Sequence, residues 1–165
     1  MALFIKNQRP GRVSGSTQTL IDQWIRVDRA IDTLPTTAQE AIFTVSNGNV
    51  LVKLIYGEVT TIIQTQANNL SVIATPTTGT AGNLATTLNI SADEVGTFYL
   101  VEGDGSALVG VAAAGSFFVA GTPVPMIIPP GTIDILTSAT NTGAIRWTLF
   151  YLPLQDNAVV TSTAV

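Results

Sequence analysis

The sequence has no cysteine and no histidine among its 165 residues. Without cysteine, the chain has no disulfide and no thiolate chemistry. Without histidine, it lacks the usual general base, the serine–histidine–aspartate triad and the commonest side-chain metal ligand. These absences predict a protein that is not an enzyme and that holds no cofactor.

Charge is also scarce, because only 11% of the residues are charged, against a typical value of about 25%. The net charge of −4 argues against nucleic acid as the main partner. Threonine, by contrast, occurs 24 times, and its branched polar side chain suits the solvated face of a strand. Because a surface so poor in charge invites association, we expect a β-rich component of a larger particle.

The uncharged stretch 105–133 is a candidate membrane span. Its most apolar window, residues 107–121, has 15 residues, contains Gly110 and Gly115, and is followed by Pro123 and Pro125. A spanning helix needs about 20 apolar residues. The stretch therefore predicts buried strands, and we expect no membrane partner.

The clearest strand pattern lies in residues 129–154, which read PPGTIDILTSATNTGAIRWTLFYLPL. Apolar residues recur at every second position on both sides of Asn141, Thr142 and Gly143, and a period of two places each set on one face of a strand. Asn and Gly tolerate the positive φ of a short hairpin loop. The pattern predicts a hairpin whose second strand is central in its sheet, because both of its faces are apolar.

Similar patterns along the chain predict about ten or eleven short strands. Besides the two strands of 129–154, they cover residues 41–45, 50–56, 59–66, 70–74, 84–90, 97–101, 107–111, 117–120 and 126–128. Residues 20–31 fit a helix or a strand, and their β-branched content favours a strand. Turn residues every eight to twelve positions predict an all-β fold over residues 20–155, an antiparallel β-sandwich of the jelly-roll type.

Glycine-containing segments between these strands predict how the strands connect. Asn47-Gly48 is a strong hairpin signal and predicts that strands 41–45 and 50–56 pair with each other. Residues 103–106 predict a turn between strands 97–101 and 107–111, and residues 77–83 a surface loop or hairpin tip. Gly57 predicts a bend or bulge before residue 59.

The first 19 residues differ in composition from the rest and predict an extended basic arm. Residues 1–30 hold five basic and two acidic side chains, a net charge of 5 − 2 = +3, whereas the remainder holds two and nine, a net charge of 2 − 9 = −7. A basic arm on an acidic body is expected to bind an acidic partner surface, the alternative being a solvated tail. The candidate partner-binding side chains are Lys6, Arg9, Arg12, Arg26 and Arg29.

Residues 156–165 form an apolar C-terminal tail that is almost free of charge. Such a segment is prone to pair with a sheet edge, in its own subunit or in a neighbouring one. Val159 and Val160 are therefore further candidate partner-binding residues. The alternative is a frayed terminus.

Carboxylates in turns are the remaining candidates for chemistry. Glu102 and Asp104, with Asp93 and Glu94 one strand earlier, raise the question of a Ca²⁺ site, but their spacing does not match an EF-hand loop. The same four residues and Asp134 also include possible pairs for glycoside hydrolysis. Acidic turn residues are ordinarily solvated, so we expect no metal site and no catalytic residue here.

Two segments resemble small structural proteins of tailed bacteriophages, in particular head decoration (cement) proteins or related minor virion proteins. They are VLVKLIYGEVTT, at residues 50–61, and the 129–154 stretch with its Pro-Gly and its Trp-bearing strand. The resemblance covers about residues 20–155, leaves the arm out, and rests on apolar, Gly and Trp positions. It implies a β-sandwich that caps contacts between capsid subunits, commonly as a homotrimer, with no active-site residues.

The function expected from composition and resemblance together is a virion structural protein on the capsid surface, made in the host cytoplasm. Its expected partners are the major capsid protein and further copies of itself. One alternative is an adhesion or receptor-binding module of a phage tail or fibre, and another is a jelly-roll coat protein that self-assembles. A carbohydrate-active enzyme is a more distant alternative.

Overall fold

The computed structural model describes residues 24–35, 38–111 and 124–163. These residues form strands and no helix, so they contain no helix able to cross a membrane. The strands are β1 (Ile25–Asp28), β2 (Asp32–Thr33), β3 (Gln39–Ser46), β4 (Val50–Thr61), β5 (Asn69–Pro76), β6 (Gly82–Asn89), β7 (Phe98–Val101), β8 (Val109–Val111), β9 (Met126–Ile128), β10 (Gly131–Thr137), β11 (Ala144–Pro153) and β12 (Val159–Ser162). The predicted all-β fold is therefore confirmed.

The strands form two antiparallel sheets packed face to face. One sheet has the order β1-β11-β4-β7-β8, with β2 also beside β11 and β9 also beside β4. The other has the order β12-β3-β10-β5-β6. Trp147 and Ile55 from the first sheet and Phe43 and Ile133 from the second belong to one fully buried core. The predicted antiparallel β-sandwich is confirmed by this arrangement.

Strand β11 has the central position that its two apolar faces predict, between β1 and β4. Trp147 and Leu149 point into the core, and both are fully buried. Gly57 lies opposite Trp147 on β4. A Cβ atom at Gly57 would lie 2.9 Å from Ile145 Cγ2 and 3.0 Å from Trp147 Cζ3, so glycine leaves room for the indole ring.

Two predicted hairpins are wrong, although their strands are present. β10 and β11 belong to different sheets, and so do β3 and β4. Asn47 and Gly48 do have positive φ values, 60° and 140°. Positive φ values allow a tight turn, but a tight turn does not determine which sheet the next strand joins. Both connections therefore cross from one sheet to the other.

Other local predictions have mixed outcomes. The turn at 103–106 joins β7 to β8 and the loop at 77–83 leads from β5 to β6, and each of these strand pairs is antiparallel. Of the strand favoured for 20–31, Ile25–Asp28 is present as β1, and residues 20–23 lie outside the described residues. The strand predicted at 59–66 does not exist separately, because β4 continues only to Thr61. The register shifts of β4 against β11 do not fall at Gly57, so the predicted bulge there is wrong. The arm of residues 1–19 and the strand predicted at 117–120 lie outside the described residues.

Candidate functional site

Among the predicted partner-binding arginines, Arg26 is exposed. It lies on β1, where its side chain is 57% exposed and Nη2 lies 2.9 Å from Asp28 Oδ1. Thr148 of β11 also donates a hydrogen bond to Asp28, at 2.7 Å. Burial opposes ionisation of Asp28, but hydrogen bonds from Thr148 and Arg26 outweigh it and hold the pKa of Asp28 below its ordinary value. Lys6, Arg9 and Arg12 lie outside the described residues.

Arg29 does not have the exposed position that a partner-binding arginine requires. Its side chain is 2% exposed and forms ion pairs with Asp32 of β2, at 2.9 Å, and with Glu40 of β3. Since β2 and β3 belong to different sheets, Arg29 ties the two sheets together. Burial raises the pKa of Glu40, and the charge of Arg29 opposes that rise. The guanidinium is thus occupied within its own chain.

The C-terminal segment adds a strand to its own sandwich. β12 pairs with β3, with Val160 opposite Val45 and Val159 opposite Ser46. Val160 is 3% exposed and belongs to the core, whereas Val159 is half-buried. The sandwich therefore continues beyond residue 155 to Ser162, and Val160 is not available to a partner.

The acidic turns have local hydrogen bonds. Asp104 Oδ1 accepts a hydrogen bond from the Ser106 amide at 2.8 Å, and bonds from the side chain and backbone of Ser106 lower the pKa of Asp104. Asp93 accepts a hydrogen bond from Tyr99 Oη at 2.6 Å, and burial together with this bond raises the pKa of Tyr99. Within residues 24–35, 38–111 and 124–163, no three acidic side chains form a group that could hold a metal ion.

A row of threonines crosses the outer face of the five-stranded sheet. Thr161 of β12 lies opposite Thr44 of β3. Thr132 of β10 lies opposite Thr44 on one side and Thr75 of β5 on the other. Side chains directly opposite each other share a face, and neighbours of this row such as Val45 point into the core. The four threonines therefore project outwards on four adjacent strands.

The rest of this outer face is almost free of charge. Its other residues on the four strands are Gln39, Ala41, Ser46, Ser71, Ile73, Asp134, Leu136 and Val159. We call these residues and the four threonines the threonine face. Asp134, its one charged residue, is 3% exposed and accepts hydrogen bonds from Gln39 Nε2 and Thr75 Oγ1, both at 2.5 Å. The face thus presents hydroxyl, amide and methyl groups and no exposed charge.

The threonine face could not be predicted from the sequence, because a face depends on the register between strands that are distant in sequence. Thr44, Thr75, Thr132 and Thr161 belong to four separate segments of the chain. The available signal was the alternation of threonine with apolar residues within single strands. That alternation indicates which side chains face out, but it does not indicate which ones become neighbours.

Comparisons with protein-family models, with curated proteins and with solved structures give no match for this chain.

Proposed function

We propose that this chain is a virion structural protein that binds the outer surface of a bacteriophage head and reinforces contacts between the shell subunits. The observation that carries the proposal is the threonine face. The centres of protein–protein interfaces are depleted in charged residues, and burying an uncharged face avoids the cost of removing charges from water. A face four strands wide without exposed charge suits a flat protein partner.

The size of the threonine face favours repeated weak contacts. With strands about 4.8 Å apart and about 3.4 Å per residue, the four strands present roughly 400 Å². A standard interface buries about 800 Å² on each partner. One face therefore gives modest affinity by itself. On a shell that repeats its surface many times, linked copies add their contacts through avidity.

The strand order favours the jelly-roll form of the sandwich. If β1, β3, β4, β5, β6, β7, β10 and β11 are numbered one to eight, one sheet has the order 1-8-3-6 and the other 2-7-4-5. These orders agree with the double Greek-key connectivity of a jelly roll, an architecture found in viral capsid and lectin domains, and so support the proposal. Because a fold hosts many functions, the strand order supports the proposal only together with the neutral face.

A charge placed at the centre of the threonine face tests the proposal. Thr132→Lys introduces an ammonium group between Thr44 and Thr75, and we expect at least a tenfold loss of binding, because the interface would have to remove a long, hydrated, charged side chain from water. Thr61→Lys, on an exposed residue of the other sheet, is the matched control and should bind normally. The measurement is co-sedimentation with a panel of purified tailed-phage heads, before and after shell expansion.

The outcomes separate the proposal from its alternatives. Binding to expanded heads that is lost in Thr132→Lys and kept in Thr61→Lys supports decoration through the threonine face. Equal binding by both variants would place the contact elsewhere on the molecule. Binding to host cells and not to heads would favour an adhesion module, and formation of shells by the pure protein would favour a coat protein.

A further inference from the structure

β1 is the edge strand of the seven-stranded sheet, and one side of its backbone has no partner in the described residues. β1 pairs with β11 only, from Ile25 opposite Tyr151 to Asp28 opposite Thr148. The Arg29 amide then donates to the Trp147 carbonyl at 2.9 Å. Because backbone groups of successive residues point to opposite sides of a strand, those of Arg26 and Asp28 point away from β11. We call this side of β1 the open edge.

An open edge is a template for another strand, and natural proteins usually protect it. Here the only charged side chains on β1 are Arg26 and Asp28, two residues apart and with opposite charge. Their side chains are 57% and 45% exposed. Such a charge pair deters many strands, but it complements a strand with the reverse order of charges. A second copy of β1, running antiparallel, has that reverse order.

We propose that the open edge binds the open edge of a second copy, forming a two-fold symmetric dimer in which the two β1 strands pair antiparallel about Val27. In this register Arg26 lies opposite Asp28 of the second copy, and Asp28 lies opposite its Arg26. The backbone groups that point away from β11 then face each other and exchange hydrogen bonds. The result is one continuous sheet through an isologous interface.

The charges select this register from its neighbours. Moving the two-fold axis to Asp28 would place the two copies of Asp28 opposite each other, and moving it to Arg26 would do the same to the two arginines. Like charges directly opposite are destabilising in a sheet, and opposite charges are stabilising. A shift of one residue would also turn one strand's side chains to the other face. Only the axis at Val27 places opposite charges against each other and also keeps opposing side chains on the same face of the sheet.

The dimer is expected to be weak in free solution, because each strand contributes only four residues. It uses residues other than those of the threonine face, although β12, which carries Thr161 of that face, contacts β1. It differs from the homotrimer implied by the family resemblance, because pairing of β1 with β1 joins exactly two chains. Sedimentation equilibrium from micromolar to millimolar protein should therefore show a reversible monomer–dimer equilibrium and no trimer.

Charge reversal on β1 gives the decisive experiment. Arg26→Asp leaves two acidic residues facing two acidic residues, and Asp28→Arg leaves two basic residues facing two basic residues. We expect each variant alone to dimerise at least tenfold more weakly than the unchanged protein. A mixture of the two should form a heterodimer, because acidic and basic strands then face each other. Both variants remain net negative overall, with charges of −6 and −2 calculated from −4, so their total charges do not explain such pairing.

Two further variants test the proposal if a charge reversal on β1 prevents folding. Asp28→Asn keeps an oxygen that can accept the Thr148 hydrogen bond and removes the charge, so it should fold normally and dimerise more weakly. The double variant Arg26→Asp/Asp28→Arg restores both cross-strand pairs and should dimerise like the unchanged protein. The proposal is overturned by a monomer at millimolar concentration, by normal dimerisation of Asp28→Asn, or by a mixture of single variants that stays monomeric.

Discussion

At the scale of single residues, the core depends on the absence of a side chain at Gly57. A methyl group there would lie within 3.0 Å of both Ile145 and Trp147, two buried side chains of β11. Inserting a carbon into a packed core typically costs about 1–3 kcal/mol. Gly57→Ala should therefore lower the free energy of unfolding by about 2 kcal/mol, as measured by urea denaturation.

The control for this prediction is Gly82→Ala on β6. An added Cβ at Gly82 meets no atom within 4 Å, and Gly82 does not have a positive φ. That substitution should change the free energy of unfolding by less than about 0.5 kcal/mol, as for most surface positions. Equal losses in the two variants would show that the contact with Trp147 is not what excludes a side chain at Gly57.

Arg29 and Arg146 offer a second comparison between residues of the same type. Arg29 is buried between Asp32 and Glu40, whereas the Arg146 side chain, paired with Glu58, is 49% exposed. Removing one partner of a buried pair costs about 3–5 kcal/mol, and an exposed pair contributes about 0–1 kcal/mol. Because both partners of Arg29 are partly exposed, Arg29→Met should cost about 3 kcal/mol and Arg146→Met less than 1 kcal/mol in urea denaturation.

The cost of losing Arg29 should also depend on pH. Burial raises the pKa of Glu40 above its ordinary value of 4.5, and loss of Arg29 removes an interaction that lowers it. A carboxyl group whose pKa is raised by folding contributes stability below its unfolded pKa and loses that contribution as the pH rises through its folded pKa. Urea denaturation should therefore show a larger loss for Arg29→Met at pH 7 than at pH 4. If Arg29→Met loses the same stability at both pH values, Glu40 is not the cause of a pH dependence. The same conclusion follows if Arg29→Met/Glu40→Gln shows the pH dependence of Arg29→Met unchanged.

At the scale of strands, alternation in the sequence predicted where strands lie better than it predicted which strands pair. Apolar alternation located β3, β4, β10 and β11, because burial of one face acts on each strand separately. The pairing of β3 with β10 and of β4 with β11 depends on contacts between segments about ninety residues apart. Asn47-Gly48 forms the turn between β3 and β4 but does not indicate which sheet β4 joins. The ion pairs of Arg29 could not be predicted for the same reason, because its side chain contacts both Asp32 and Glu40 only in the folded sandwich.

Strand β12 provides a prediction at this scale with a neighbouring control. Val160 is buried in the core opposite Val45, while Val159 is half-buried and faces the other way. Removing buried methyl groups loses their transfer free energy and leaves a cavity. Val160→Ala should lower the free energy of unfolding by about 2 kcal/mol, and Val159→Ala by less than 1 kcal/mol. Similar small effects of both variants in urea denaturation would mean that the C-terminal segment is not part of the stable sandwich.

At the scale of the whole molecule, the charged side chains described above either lie away from the threonine face or are covered on it. The buried arginine joins the two sheets, Arg26 and Asp28 mark the open edge, and the one carboxylate on the threonine face is covered by its neighbours. Composition alone predicted a surface poor in charge and a tendency to associate. The locations of the neutral face and the charged edge required strand register, which the sequence does not display.

The way the chain crosses between the sheets predicts that they unfold together. β3 leads to β4, β4 to β5 and β10 to β11 across the sandwich, so neither sheet is a continuous piece of chain. At one end, Asn141 Oδ1 accepts hydrogen bonds from the amides of Gln64, at 3.2 Å, and Gly143, at 2.8 Å, and so joins the connection after β4 to that before β11. Opening either sheet alone would expose the shared apolar core.

Native-state hydrogen exchange at increasing sub-denaturing urea tests this cooperativity. We expect the most protected amides of β10 and of β11, which belong to different sheets, to converge on one free energy of opening equal to that of global unfolding. The Asn141→Ala variant should lower both values equally, because the lost hydrogen bonds belong to the shared structure. If one sheet opened at a distinctly lower free energy, or if Asn141→Ala affected β11 alone, the sheets would be separate cooperative units, and the crossings between them would not couple their stabilities.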